Sequence, residues 1–124
     1  FFKDVPADTP VGYDSTWVSS TPSRIATIPI GYNDGVPYRL GLNNDADVLV
    51  RGKRCPIIGR VSMDYCTIDI SHVKNADIGD IVTIIGIDGD ECITAQDVAA
   101  QAGTIAYEIC CSIGSRVSRR YVAS

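Results

Sequence analysis

The chain has one histidine, His72, and three lysines, Lys3, Lys53 and Lys74. Both residue types carry much of acid–base and Schiff-base catalysis, so their scarcity narrows the chemistry available. His72 lies in Ser-His-Val-Lys-Asn, a polar stretch that reads as a loop, and nothing near it supplies the nucleophile and orienting acid of a triad. The lysines fall in a terminus, a hairpin tip and a polar loop, none of which offers the desolvation a Schiff-base lysine needs. The five cysteines, Cys55, Cys66, Cys92, Cys110 and Cys111, form no Cys-x-x-Cys pair, and with a single histidine no metal is expected. They read as reduced, mostly buried thiols of a cytoplasmic protein. P-loop, dinucleotide-fold and nucleophile-elbow signatures are missing. No apolar run approaches the roughly 20 residues of a membrane span, and no signal peptide is visible, so no membrane partner is expected. Basic residues number 11 against 15 acidic, the pI is about 4.7, and no broad basic face stands out, Arg116, Arg119 and Arg120 forming a small local group. Phosphate neutralisation dominates nucleic-acid affinity, so no nucleic-acid partner is expected either.

What remains is the pattern of a folded β protein. The 124 residues suit one domain, and 45% hydrophobic content excludes a disordered chain. Residues 11–18 and 24–30 read as strands. Residues 47–51 and 54–58 flank a hairpin tip at Gly52-Lys53, and 65–70 is a strand with Thr67 and Asp69 on a wet face. Residues 81–86, IVTIIG, read as a buried strand, and 116–122 as a last one. A helix is expected over 95–102, with Thr94 and Asp97 forming a capping box and Gly103 at C′. A second is expected over 106–111, capped by Thr104. Strands broken by turns every 8 to 12 residues suit a barrel or sandwich. The expected architecture is mainly β, a small closed Greek-key-type β-barrel with two short helices near the C-terminus.

Four stretches carry more than fold. They are VGYDSTW (residues 11–17), IPIGYNDG (28–35), PIIGRVSMD (56–64) and the segment from Tyr107 through GSRV (114–117). In this order and spacing the chain resembles the C-terminal β domain of alanine racemase, over about residues 8–122. The resemblance implies that residues 1–124 are that domain alone, without the N-terminal α/β barrel that holds pyridoxal phosphate on a lysine. The lack of a Schiff-base lysine is then expected, and so is a chain that begins at Phe1 without methionine. It further implies a head-to-tail homodimer acting on alanine, in which each β domain completes its partner's active site. Tyr13 would be the catalytic base for one face of the substrate, because inversion needs acid–base groups on both faces. Tyr32 would line the entrance, with Arg60 as electrostatic support. The backbone N–H of Met63 would meet the substrate carboxylate, and Asp64 would hold that loop. Ser115 stands where some relatives have a tyrosine that contacts the cofactor phosphate; a serine hydroxyl can donate there but with shorter reach. Trp17 and Tyr38 are left as packing residues. Two alternatives stay open: a racemase of serine or broader specificity, and a non-catalytic β-barrel interaction module, which leaves these motifs without a reason.

Overall fold

The computed structural model describes residues 1–11, 17–19, 21–42 and 45–122. Its framework is a six-stranded antiparallel sheet built from β1 (Phe2–Val5), β4 (Ser23–Ile28), β5 (Asp47–Val50), β6 (Lys53–Ile58), β7 (Cys66–Asp69) and β8 (Val82–Thr83), in the order β1-β4-β7-β6-β5-β8. The sheet curls into a half-barrel, with β1 and β8 at its edges. Two short ribbons flank it: β2 (Pro10–Val11) with β3 (Trp17–Val18), and β9 (Gly86–Asp88) with β10 (Glu91–Ile93). The helices α1 (Ala95–Ala102) and α2 (Ala106–Cys111) follow.

Side chains alternate across the sheet, as extended backbone requires. Ala26, Ile28, Ile57, Cys66 and Ile68 enter the main core with Val48, Leu49, Val98 and Ile109. Ile25 and Ile58 point the other way and pack with Val5 and Val11. This second cluster corrects the expected wet face. Thr67 lies opposite Ile58 and Thr27 and is buried, on the face where Ile25 and Ile58 pack with Val5 and Val11.

Other expectations also need correction. Residues 11–18 are not one strand: Val11 stands opposite Trp17, and residues 12–16 lie outside the described residues. β1 was not anticipated. The hairpin tip is Arg51-Gly52, one residue earlier than expected; both have positive φ (50° and 74°), which a two-residue turn with the native strand twist needs. The run 81–86 is not one strand: Val82–Thr83 is β8, Gly86 opens β9, and Ile81 is 80% exposed, so the run is not buried. Residues 116–122 form no strand. There Arg119 donates to the carbonyls of Ile113, Gly114 and Val117 and holds the segment in turns. Cys55 and Cys66 are buried, and burial pushes their thiols up to about 11 and about 12 respectively, but Cys92, Cys110 and Cys111 are exposed.

The helix signals hold where they are local. Asp97 N–H donates to Thr94 Oγ1 at 3.0 Å, Thr94 N–H donates to Asp97 Oδ2 at 2.9 Å, and Gly103 closes α1 with φ 74°. α2 spans the expected residues, but its N-cap is Ile105; the Thr104 hydroxyl bonds the Glu108 carboxylate instead.

Candidate functional site

The chain leaves β4 at Pro29 and passes through Gly31 into a 3-10 turn, Tyr32–Asp34. Proline has no N–H for the ladder, which ends the strand here. Gly31 lies directly against the loop after β6. A Cβ on it would stand 2.2 Å from Ser62 O and 2.5 Å from Met63 O. That closeness lets the two loops join through their backbones: Tyr32 N–H donates to Ser62 O at 3.0 Å and Asn33 N–H to Met63 O at 2.9 Å. Tyr32 and Met63, 31 positions apart in the chain, thereby reach one surface cleft of about 450 Å³, lined also by Tyr38, Val61, Ser62, Asp64 and Tyr65.

A second 3-10 turn, Tyr38–Gly41, forms the neighbouring wall. Gly41 seats it: a Cβ there would stand 2.6 Å from both Gly59 O and Val61 N. The ring of Tyr38 meets that of Tyr32 edge to face, with centroids 5.9 Å apart and planes at 81°. Arg60 is half-buried behind this wall, and its Nη1 donates to Tyr38 Oη at 2.8 Å.

Charge organises the other flank. Asp34, 6% exposed, accepts from Gly31 N–H at 3.2 Å through Oδ2 and from Arg116 Nε at 2.8 Å through Oδ1. The Arg116 guanidinium holds this carboxyl below its ordinary pKa, the Gly31 N–H acts in the same direction, and burial opposes both. Arg116 Nη2 also donates to Asp64 at 3.1 Å, so one guanidinium ties the Tyr32 turn to the Met63 loop. Gly114 N–H donates to Asp34 O at 3.1 Å and fixes the C-terminal segment to the same turn.

The site residues expected from sequence are therefore partly assembled. Tyr32 and Met63 share the cleft, and Arg60 reaches it through Tyr38. Asp64 holds its loop by way of Arg116. Ser115 is exposed beside Arg116, away from the cleft lining, and its hydroxyl has no hydrogen-bond partner among the described residues. Tyr13 lies outside the described residues. Among the described residues no cluster of His, Cys, Asp and Glu is placed to hold a metal ion. Sequence reasoning left Tyr38 as a packing residue and Arg116 as part of a strand, and gave Asp34 no role of its own. The one available signal was a carboxylate inside the Gly-Tyr-Asn-Asp-Gly motif.

Comparison with known proteins identifies the family. The family model described as "Alanine racemase, C-terminal domain" matches residues 1–121. An alanine racemase of Syntrophobacter fumaroxidans is 52% identical over 112 residues, covering 90% of this chain and 29% of that protein. The alanine racemase structure from Streptomyces coelicolor A3(2) superposes with a TM-score of 0.90 at 35% identity, over 100% of this chain and 32% of that one. The alanine racemase structure from Bartonella henselae with covalently bound pyridoxal phosphate gives 0.88 at 34% identity, over 98% and 32%. The chain thus spans about a third of the length of the relatives it matches. With a family model matching nearly end to end, and the Tyr32 and Met63 motifs joined backbone to backbone, the chain belongs to the alanine racemase C-terminal domain family.

Proposed function

We propose that this chain is the β half of an alanine racemase, completing the active site of a partner subunit in a homodimer that interconverts L- and D-alanine. The observation that carries this reading is the seam between residues 31–33 and 62–63, which brings Tyr32 and Met63 to one open cleft. The pathway served is supply of D-alanine for peptidoglycan precursors, in the cytoplasm.

The residues present fit one wall of a site for pyridoxal phosphate. The cleft offers phenols and a backbone N–H, while Lys3, Lys53 and Lys74 do not line it. Attachment of the cofactor to lysine therefore belongs to the preceding barrel domain. When bound, the cofactor supplies the electron sink that makes the α-proton removable. This chain's part is to bind, narrow and protonate. The Met63 N–H makes no backbone hydrogen bond among the described residues and is assigned to the substrate carboxylate. Tyr32 narrows the entrance, and Arg60 adds positive charge behind it. Tyr13 holds and returns a proton at Oη on one face of the amino acid, and the barrel's lysine serves the other. A phenol with a pKa near 10 needs a cation within about 4–6 Å to act as a base at neutral pH, which the barrel half supplies. Ser115 is assigned to the cofactor phosphate. The sheet is taken to close into a barrel, since Phe2 of β1 and Val82 of β8 line one apolar cavity of about 480 Å³.

Tyr13→Phe in the full-length enzyme tests the assignment. Solvent exchange of the α-proton should fall by about a hundredfold or more for one enantiomer and survive in part for the other, in keeping with loss of one acid–base group. Equal racemisation by mutant and wild type would remove Tyr13 from the reaction.

A further inference from the structure

The hydrogen bond between Arg60 and Tyr38 has a fixed direction. A guanidinium has donors only, so Tyr38 Oη must accept from Arg60 Nη1, at 2.8 Å. The phenol's own proton is then left to donate elsewhere. Among the described residues no protein acceptor takes it, and the Tyr38 side chain lines the cleft. Rotation that would swing the ring away is limited from two sides. The ring packs edge-on against Tyr32, and its turn is seated by Gly41 on the Gly59–Val61 backbone.

We propose that Tyr38 is a further substrate-binding residue, whose hydroxyl, oriented by Arg60, donates a hydrogen bond to the carboxylate of the amino acid in the cleft. A donor already accepting from a cation is polarised toward an anionic acceptor, the pairing in which hydrogen bonds are strongest. Arg60 does not line the cleft itself, so its charge is felt there through the Tyr38 hydroxyl. The inference rests on the reading of this cleft as a racemase half-site.

The test uses the full-length enzyme. Tyr38→Phe keeps the ring against Tyr32 and removes only the hydroxyl. KM for alanine should rise about tenfold with kcat changed less than about twofold, and the Kd for butyrate, a carboxylate without an amino group, should rise by a similar factor in calorimetry. Arg60→Met should raise KM as well, and the double variant should be no worse than the more impaired single variant, because the two groups act as one unit. An unchanged KM and Kd in an active Tyr38→Phe enzyme overturns this inference and leaves the half-site reading standing. Additive losses in the double variant overturn the coupling to Arg60. A wild-type enzyme that racemises no amino acid overturns the half-site reading, and this inference with it.

Discussion

The Asp34 carboxylate takes the Gly31 N–H on one oxygen and the Arg116 guanidinium on the other, while its own carbonyl accepts from Gly114. Three segments meet at this side chain, and its charge state decides whether they stay together. Its folded pKa lies below the ordinary value because of the Arg116 hydrogen bond first and the Gly31 N–H next. An unfolded aspartate titrates near pH 3.9, so as pH falls through that region the unfolded chain binds a proton that the folded chain still refuses. Stability from this group is complete above that window and is lost as pH falls through the depressed folded value. Asp34→Asn keeps the shape and removes the titration. We expect its urea midpoint to lie below wild type at neutral pH and to converge on it as pH falls below the ordinary aspartate range. Asp80 beside Arg51 and Asp97 at the cap of α1 are depressed too, so both proteins keep an acid limb. A gap between the two that stays constant across this range would show that Asp34 contributes nothing through its charge. The Arg116–Asp64 contact weighs less, since both side chains are more than half exposed and water screens them.

At the scale of elements, the seam between the Tyr32 turn and the Met63 loop depends on the absence of one methyl group. Gly31 has φ −142° and ψ −163°, extended backbone open to any residue, so the demand for glycine is contact and not conformation. The atoms a Cβ would strike are backbone oxygens, which cannot swing aside as a side chain can. Gly31→Ala should therefore cost about 1–3 kcal/mol in urea unfolding and raise KM for alanine by parting Tyr32 from Met63. A variant with an unchanged midpoint would mean that the loops separate without loss. The elements also show what the sequence makes readable. α1 is legible because its cap, its apolar positions and Gly103 all lie within ten residues. The cleft is legible only through ordered motifs, since Gly31 and Ser62 meet across the fold. Tyr38–Arg60 and Asp34–Arg116 were missed because their partners are 22 and 82 positions away. Thr67 was misread because alternation reports which residues share a face, and not that this face also carries the packed cluster of Val5, Val11, Ile25 and Ile58.

At the scale of the whole molecule, the exposed isoleucines bear on what else this domain touches. Ile78, Ile81 and Ile87 are 76%, 80% and 75% exposed within ten residues of chain. The run IVTIIG has the composition of a buried strand, but composition marks only what favours burial, not which surface provides it. Covering one isoleucine contributes roughly 1.5–3 kcal/mol, and grouped exposed apolar residues mark contact surfaces more often than scattered ones do. The main core is nonetheless continuous from β4 through β7 to α2, with Val48, Leu49, Ile57 and Ile68 at 0 or 1% exposure. The isolated 124-residue chain should therefore unfold cooperatively while binding an apolar dye in its native state. It should show no racemisation of alanine at any enzyme concentration, since half of the acid–base pair and the lysine for the cofactor lie elsewhere in the proposed enzyme. Ile81→Lys should reduce the dye signal without lowering the melting temperature, because the wild-type side chain packs against little. Dye binding separates an uncovered domain from a finished one, and the activity assay separates a half-site from a whole. Racemisation by this chain alone would place a complete active site within its 124 residues and defeat the two-part reading.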